Sequence, residues 1–145
     1  MHGHSVFCLL MDHQPNHFAA KIVGMGTDLA DVDRIEQSIT RYGDRFLERI
    51  YTAGEIAYVT GKANGFERYA ARFAAKEAGM KALGTGWTGG IRWRDLEVSN
   101  LPSGRPTLIL HGKAAEHAAA LGARHIHLSL SHTATMAIAF VILEA

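Results

Sequence analysis

The stretch RFAAKEAGMKALGTG, Arg72 to Gly86, is the second half of an alanine-rich run without proline that begins at Phe66 and stops at Gly84–Thr85–Gly86. At 100° per residue, Phe66, Tyr69, Ala70, Phe73 and Met80 form an apolar stripe, and Glu77 falls inside it, about 20° from Phe66. A helix over 66–83 is therefore expected, with one carboxylate on its core side. A bare carboxylate there is costly unless it is paired or bound to a metal, because its hydration is lost. Lys81, at i+4, offers a pair within the helix, whereas Arg72 and Lys76 lie on another flank. Taken alone, the helix favours a plain surface pair, Glu77–Lys81.

The chain has 145 residues, 48% hydrophobic and 20% charged, enough for one domain with a real core. A net charge of +1 sets up no overall field that would mark a nucleic-acid or membrane binder. A single cysteine, Cys8, excludes a disulfide framework and a thiolate metal site, and fits a reducing, cytoplasmic location. The longest apolar runs, such as MAIAFVIL (Met136–Leu143), are too short to span a bilayer. SVFCLLM near the N-terminus lacks the preceding basic residue of a signal segment. Residues 1–20 are expected to form a poorly ordered extension whose histidines, His2, His4, His13 and His17, are tag-like. Residues 21–145 are expected to form the domain.

KIVGMGTD (Lys21–Asp28) reads as a strand ending in a glycine turn. A helix follows from Asp31, with Val32, Ile35, Ile39 and Tyr42 on one face and Gly43 as its break. TAGE (Thr52–Glu55) has the form of a capping box and opens a short helix. Beyond Gly86 the texture is strand-like in IRWRDLEV (91–98), PTLIL (106–110), HIHLSLSH (125–132) and TMAIAFVIL (135–143), with a short helix from Lys113 to Leu121. The last two strands are close enough to form an antiparallel hairpin. Helices early and strands late give an α+β class with an antiparallel sheet packed against helices.

GMGTD lacks the third glycine of the dinucleotide fingerprint, since Leu29 stands where Gly or Ala is needed, so a nicotinamide or flavin site is disfavoured. It does supply Asp28, which serves equally as a helix cap or as a ligand. Asp28 and Glu77 meet the count of one or two carboxylates that suits Mg²⁺ bound to phosphates. Arg72, Lys76 and Lys81 would neutralise those phosphates, and Gly84, Thr85 and Gly86 would let a phosphate lie against the backbone. His132 closes the row Ile126, Leu128, Leu130 and is followed by Thr133. Its position suits a core histidine and a phosphate donor equally.

Three stretches in order, VGMGTDLADVDRI, RFAAKEAGMKALGTG and LSLSHTATMAIAFV, closely resemble the signature regions of the holo-acyl-carrier-protein synthases, the single-domain 4′-phosphopantetheinyl transferases. The likeness runs from Ile22 to the C-terminus and includes WRDLEV and GRP (Gly104–Pro106). The resemblance implies Mg²⁺-dependent transfer of 4′-phosphopantetheine from coenzyme A to a serine of an apo acyl carrier protein, releasing adenosine 3′,5′-bisphosphate. It assigns the metal to Asp28 and Glu77, and coenzyme contacts to Arg72, Lys76, Lys81, Gly84, Thr85, Gly86, His132 and Thr133. Lys81 would offset charge or deliver a proton at the leaving phosphate, and the general base stays open between Glu77 and water. Arg34 and Arg41, seven residues apart, would dock the carrier, with Arg45 extending the line if the helix survived Gly43. The resemblance also implies a homotrimer with active sites at subunit boundaries, and leaves open a fatty-acid or a polyketide carrier. Met80 departs from the small polar residue frequent before the lysine. A non-catalytic coenzyme-binding module would not need both acids, and a structural metal domain would need a His/Cys set that is lacking.

Overall fold

Two glycines in the first strand set the spacing of the whole fold. The computed structural model describes residues 21–145; the extension expected over residues 1–20, with its four histidines, lies outside the described residues. Strand β1 (Ile22–Asp31) leads directly into α1 (Val32–Tyr42), and α2 (Asp44–Ile50) and α3 (Ala53–Val59) follow. The long helix α4 (Gly65–Leu83) comes next, then a 3-10 turn (Trp93–Asp95), β2 (Leu96–Asn100), β3 (Pro106–Leu110), α5 (Gly112–Ala120), β4 (His125–His132) and β5 (Met136–Glu144). The strands form an antiparallel sheet of order β1–β5–β4 and a separate antiparallel ribbon, β2–β3. The expected α+β class with antiparallel strands is the architecture found.

Gly24 and Gly26 are not in a turn, as expected, but inside β1. Period 2 turns Gly24, Gly26, Asp28 and Ala30 toward α4. A Cβ at Gly24 would overlap the carbonyl oxygen of Ala82, and one at Gly26 that of Ala78, so the strand lies directly on the helix backbone. Asp28 consequently sits in mid-strand, opposite Ala139 of β5.

The helix is buried on far more of its circumference than a single stripe would give. Ala70, Ala74, Ala75 and Ala78 are fully enclosed, and Gly79 lies so close to Leu96 that a Cβ would sit 2.6 Å from its Cδ2. Of the expected stripe, Tyr69, Ala70 and Met80 are buried, Phe73 is half-buried and Phe66 is exposed. Small residues are the core here because β1 and β5 press on one side and β2 on the other.

Local signals behaved as chemistry dictates. Asp31 caps α1 through a bond from the Asp33 N–H (3.0 Å), and Gly43, at φ 56°, ends it. The chain restarts at once as α2, so Arg45 belongs to a different helix from Arg34 and Arg41. The capping box is complete: Thr52 Oγ1 accepts from Glu55 N (3.2 Å) and Glu55 Oε1 from Thr52 N (2.9 Å). Among the described residues no helix is long and apolar enough to cross a membrane.

Candidate active site

Close approach of β1 to α4 brings Asp28 beneath the C-terminal half of the helix. Lys81 reaches back across the gap, its Nζ donating to Asp28 Oδ1 (2.9 Å) and to the carbonyl of Thr27 (3.0 Å). Asp28 is largely enclosed, with 18% of its side chain exposed, while Lys81 stays 55% exposed. Glu77 is half-buried beside them. Burial pushes its carboxyl above the usual range and the negative charge of Asp28 pushes it further, while Lys81 and a hydrogen bond from Trp87 pull it back. The Lys81 ammonium is held above its ordinary value, first by its hydrogen bond to Asp28 and then by that carboxylate's charge. Two neighbouring carboxylates, one of them half-buried, with a largely exposed ammonium bonded to the other, are a ready site for a divalent cation and phosphate oxygens.

The donor set fits Mg²⁺ better than zinc. Among the described residues no group of three or more His, Cys, Asp or Glu side chains could hold a metal, so the two carboxylates leave most of the coordination to other oxygens.

The remaining predicted residues divide sharply. Gly84 ends α4 in the left-handed conformation (φ 77°), its N–H bonding the carbonyls of Met80 and Lys81 at 3.1 Å. Thr85 Oγ1 donates to the carbonyl of Gly86 (3.2 Å), and this loop delivers Trp87 to Glu77. These join Asp28, Glu77 and Lys81.

Lys76 does not. Its side chain is wholly buried, with Nζ donating to Glu55 Oε1 (2.7 Å) and to the carbonyls of Trp93 (3.2 Å) and Leu96. Burial lowers the lysine's proton affinity and Glu55 restores part of it. Lys76, expected at the phosphates, has its charge matched inside the core in this structure. Glu55 is equally enclosed; its Oε2 accepts from Val98 N (3.1 Å), so one carboxylate ties α3, α4 and β2 together.

Arg72 also points away from the pair. It is 4% exposed, lies under Tyr58 (4.5 Å to the ring centroid) and donates to Asn100 Oδ1 at 3.3 Å, while its Nε has no partner among the described residues. It borders a cavity of about 230 Å³ with Ser99 and Glu97. His132, expected to close a buried row, is exposed at the end of β4, its Nδ1 3.4 Å from Glu67 Oε1. Glu67 and Glu77 are ten residues apart, about 15 Å along a helix. Thr133 Oγ1 accepts from Thr135 N (3.2 Å) and Met136 N (3.1 Å) in the β4–β5 turn. Within one chain, then, Arg72, His132 and Thr133 stand apart from the carboxylate pair.

Arg34 and Arg41 are exposed on α1. Arg34 borders a groove of about 220 Å³ with Leu29, Phe46 and Phe73. Sequence reasoning missed Trp87 and Glu55. The first follows the glycine loop directly, and the second was visible only as half of a capping box.

Comparison with known proteins places this geometry. The sequence profile of the 4'-phosphopantetheinyl transferase superfamily matches residues 24–140. The holo-[acyl-carrier-protein] synthase of Solibacter usitatus (strain Ellin6076) is 68% identical over 123 residues, which are 85% of this chain and 98% of that protein. That of Koribacter versatilis (strain Ellin345) is 61% identical over the same shares. Among solved structures, the holo-[acyl-carrier-protein] synthase of Neisseria meningitidis aligns with a TM-score of 0.78 at 32% identity, covering 86% of this chain and 100% of that one. The Bacillus anthracis enzyme, in complex with CoA (3',5'-ADP), aligns at 0.71 and 38% identity, covering 88% and 99%. The chain belongs to the 4'-phosphopantetheinyl transferase superfamily.

Proposed function

We infer that the chain transfers the 4′-phosphopantetheine group of coenzyme A to a serine hydroxyl of an apo acyl carrier protein, as the names of its relatives state for them. The observation that carries this reading is Glu77 held beside Asp28, with Lys81 reaching across to Asp28. The serine Oγ attacks the phosphorus that bears the pantetheine arm. The bond from that phosphorus to the bridging oxygen breaks, its electron pair leaves with adenosine 3′,5′-bisphosphate, and the serine proton passes to Glu77 or to water.

Asp28 and Glu77 would hold Mg²⁺, which when bound neutralises the diphosphate and orients it for in-line attack. Lys81, hydrogen-bonded but half exposed, is free to swing from Asp28 toward the leaving phosphate and offset the charge that develops there. The loop Gly84–Gly86 would lie along the coenzyme. A coenzyme-binding module without catalysis would have no use for two mutually repelling acids, which favours the enzyme.

We read the molecule as a cytoplasmic homotrimer over residues 21–145. Support comes from the sheet: the face of β1 and β5 turned away from α4 leaves Met25, Leu29 and Phe140 at least half exposed. A second copy on that face would bury these side chains and put the exposed His132 and Thr133 at a subunit boundary, while Arg72 stays inside its own chain. For the carrier, Arg34 and Arg41 offer charge, and the groove of Leu29, Phe46 and Phe73 offers an apolar seat beside Arg34.

The test is incubation with coenzyme A, Mg²⁺ and an apo carrier protein, followed by intact-mass measurement. Addition of one phosphopantetheine to the carrier is expected. No addition to fatty-acid or polyketide carriers would overturn the reading.

A further inference from the structure

A cavity of about 750 Å³ is not accounted for by the metal and phosphate groups. Its apolar wall is Trp87, Ile91 and Trp93. That wall is continuous with the catalytic face of α4. Phe73 stands one turn before Glu77, its ring stacks on Trp93 (centroids 4.8 Å, 25° between planes), and Trp93 packs on Trp87 at 4.0 Å. The loop that carries Trp87 begins at Gly84, next to Lys81. A chain attached to a phosphate at Asp28, Glu77 and Lys81 therefore finds this cavity immediately behind the two tryptophans.

The same cavity is also lined by three arginines, Arg49, Arg92 and Arg94. Arg92 is matched by Asp95 at 3.5 Å, but Arg49 and Arg94 make no ion pair among the described residues. His111 is already engaged by Glu97 (3.0 Å); Glu48 lines the cavity too and, like Arg49 and Arg94, is exposed to solvent. Two arginines without an ion pair, lining one cavity with two tryptophans, form a site for a ligand with an apolar body and an anionic end.

Resting on the transfer reaction above, we propose that this cavity holds the distal end of the pantetheine arm together with an acyl group carried on its sulfur, and that Arg49 and Arg94 favour acyl groups ending in a carboxylate. A bare thiol leaves the arginines without a partner. A neutral acyl chain meets the tryptophans but offers nothing to the arginines. A dicarboxylic acyl thioester satisfies both. The acyl group moves intact, since the bonds broken and formed are those at phosphorus.

Succinyl-coenzyme A and butyryl-coenzyme A match in chain length and differ at the far end, carboxylate against methyl. Both are offered, alongside free coenzyme A, to the full chain with Mg²⁺ and an apo carrier, and kcat/KM is read from carrier mass. Succinyl transfer is expected to exceed butyryl transfer by about tenfold, one well-made arginine–carboxylate contact. The double variant Arg49→Gln/Arg94→Gln is expected to bring the ratio close to one, while Arg49→Lys/Arg94→Lys restores part of it. Equal rates for the two thioesters in the native chain, or a succinyl preference that survives in the glutamine variant, would overturn the proposal. Failure with free coenzyme A as well would instead refute the transfer reading on which it rests.

Discussion

Lys76 is the residue on which sequence pattern and three-dimensional position disagree most, and replacing it tests the position directly. In Lys76→Met the methionine fills the aliphatic path, but Glu55 keeps its charge at 1% exposure with only the N–H groups of Thr52 (2.9 Å) and Val98 (3.1 Å) as donors. In Glu55→Gln the ammonium keeps neutral acceptors, the glutamine oxygen and the carbonyls of Trp93 and Leu96, but no counter-charge. Breaking one side of a buried pair costs about 3–5 kcal/mol, so each single variant should lose about that much in urea unfolding and about 10 °C or more in Tm. The double variant Glu55→Gln/Lys76→Met buries no charge, and its loss should be well below the sum, giving a coupling of about 2 kcal/mol or more. Single variants within about 1 kcal/mol of the native chain, or additive losses, would refute the buried pairing. A second readout separates roles: where Lys76→Met is still folded, its KM for coenzyme A should stay near the native value, and a large rise there would mean that the lysine leaves the core to meet phosphate.

Other expectations can be checked together. Gly26→Ala places a methyl against the Ala78 carbonyl with Ala82 N at 2.8 Å, and should destabilise by about 1–3 kcal/mol as overpacking; denaturation midpoints equal to native would show that β1 does not lie on the helix backbone. Asp28→Asn and Glu77→Gln should each lower transfer by about a hundredfold or more and weaken Mn²⁺ binding followed by water relaxation, with Tm nearly unchanged; near-native turnover in either would remove that residue from the metal site. Burial works to raise the Glu97 carboxyl, yet hydrogen bonds from Thr52 and His111 hold it below its ordinary value. Its stabilisation is therefore full above about pH 4.5 and lost as pH falls through the lower folded-state value, so the advantage of the native chain over Glu97→Gln, at most about 1 kcal/mol, should shrink below pH 4.5. A difference that does not change between pH 3 and 6 would refute it.

Much of the architecture could be read from the chain because it rests on local rules. The capping box at Thr52, the β4–β5 hairpin and the limits of the long helix are each set by a few neighbouring residues, and each stands where expected. What escaped depends on approach between distant segments. A helical wheel assumes one buried side, but α4 is enclosed by two layers, so alanines carried the core while Phe66 was left outside. Lys76 looked like a phosphate ligand because its partner, Glu55, is 21 residues away and already had a role in a cap. The glycines of β1 looked like a turn because the surface they accommodate, the backbone of α4, comes more than fifty residues later. His132 followed the period of its strand until the strand ran past the body it packs on. Of the site, Asp28, Glu77 and Lys81 could be grouped from residue type as a metal and phosphate site, and the likeness of three separated motifs is what set that reading above a plain Glu77–Lys81 surface pair.

The antiparallel pairing of β1 with β5, from Ile22 opposite Glu144 to Asp31 opposite Met136, has a consequence for how the molecule is made. The strand bearing Asp28 finds its sheet partner only when the last described element has been synthesised, so the order of biosynthesis cannot close the sheet early, and contacts of very long sequence separation should slow the final step of folding. The same pairing brings Ala145 N within 2.8 Å of the Lys21 carbonyl. A circular permutant that leaves out residues 1–20, joins Ala145 to Lys21 and opens the chain at the exposed Leu101–Gly104 turn would turn this late, distant pairing into a local hairpin, and should fold faster to the same structure.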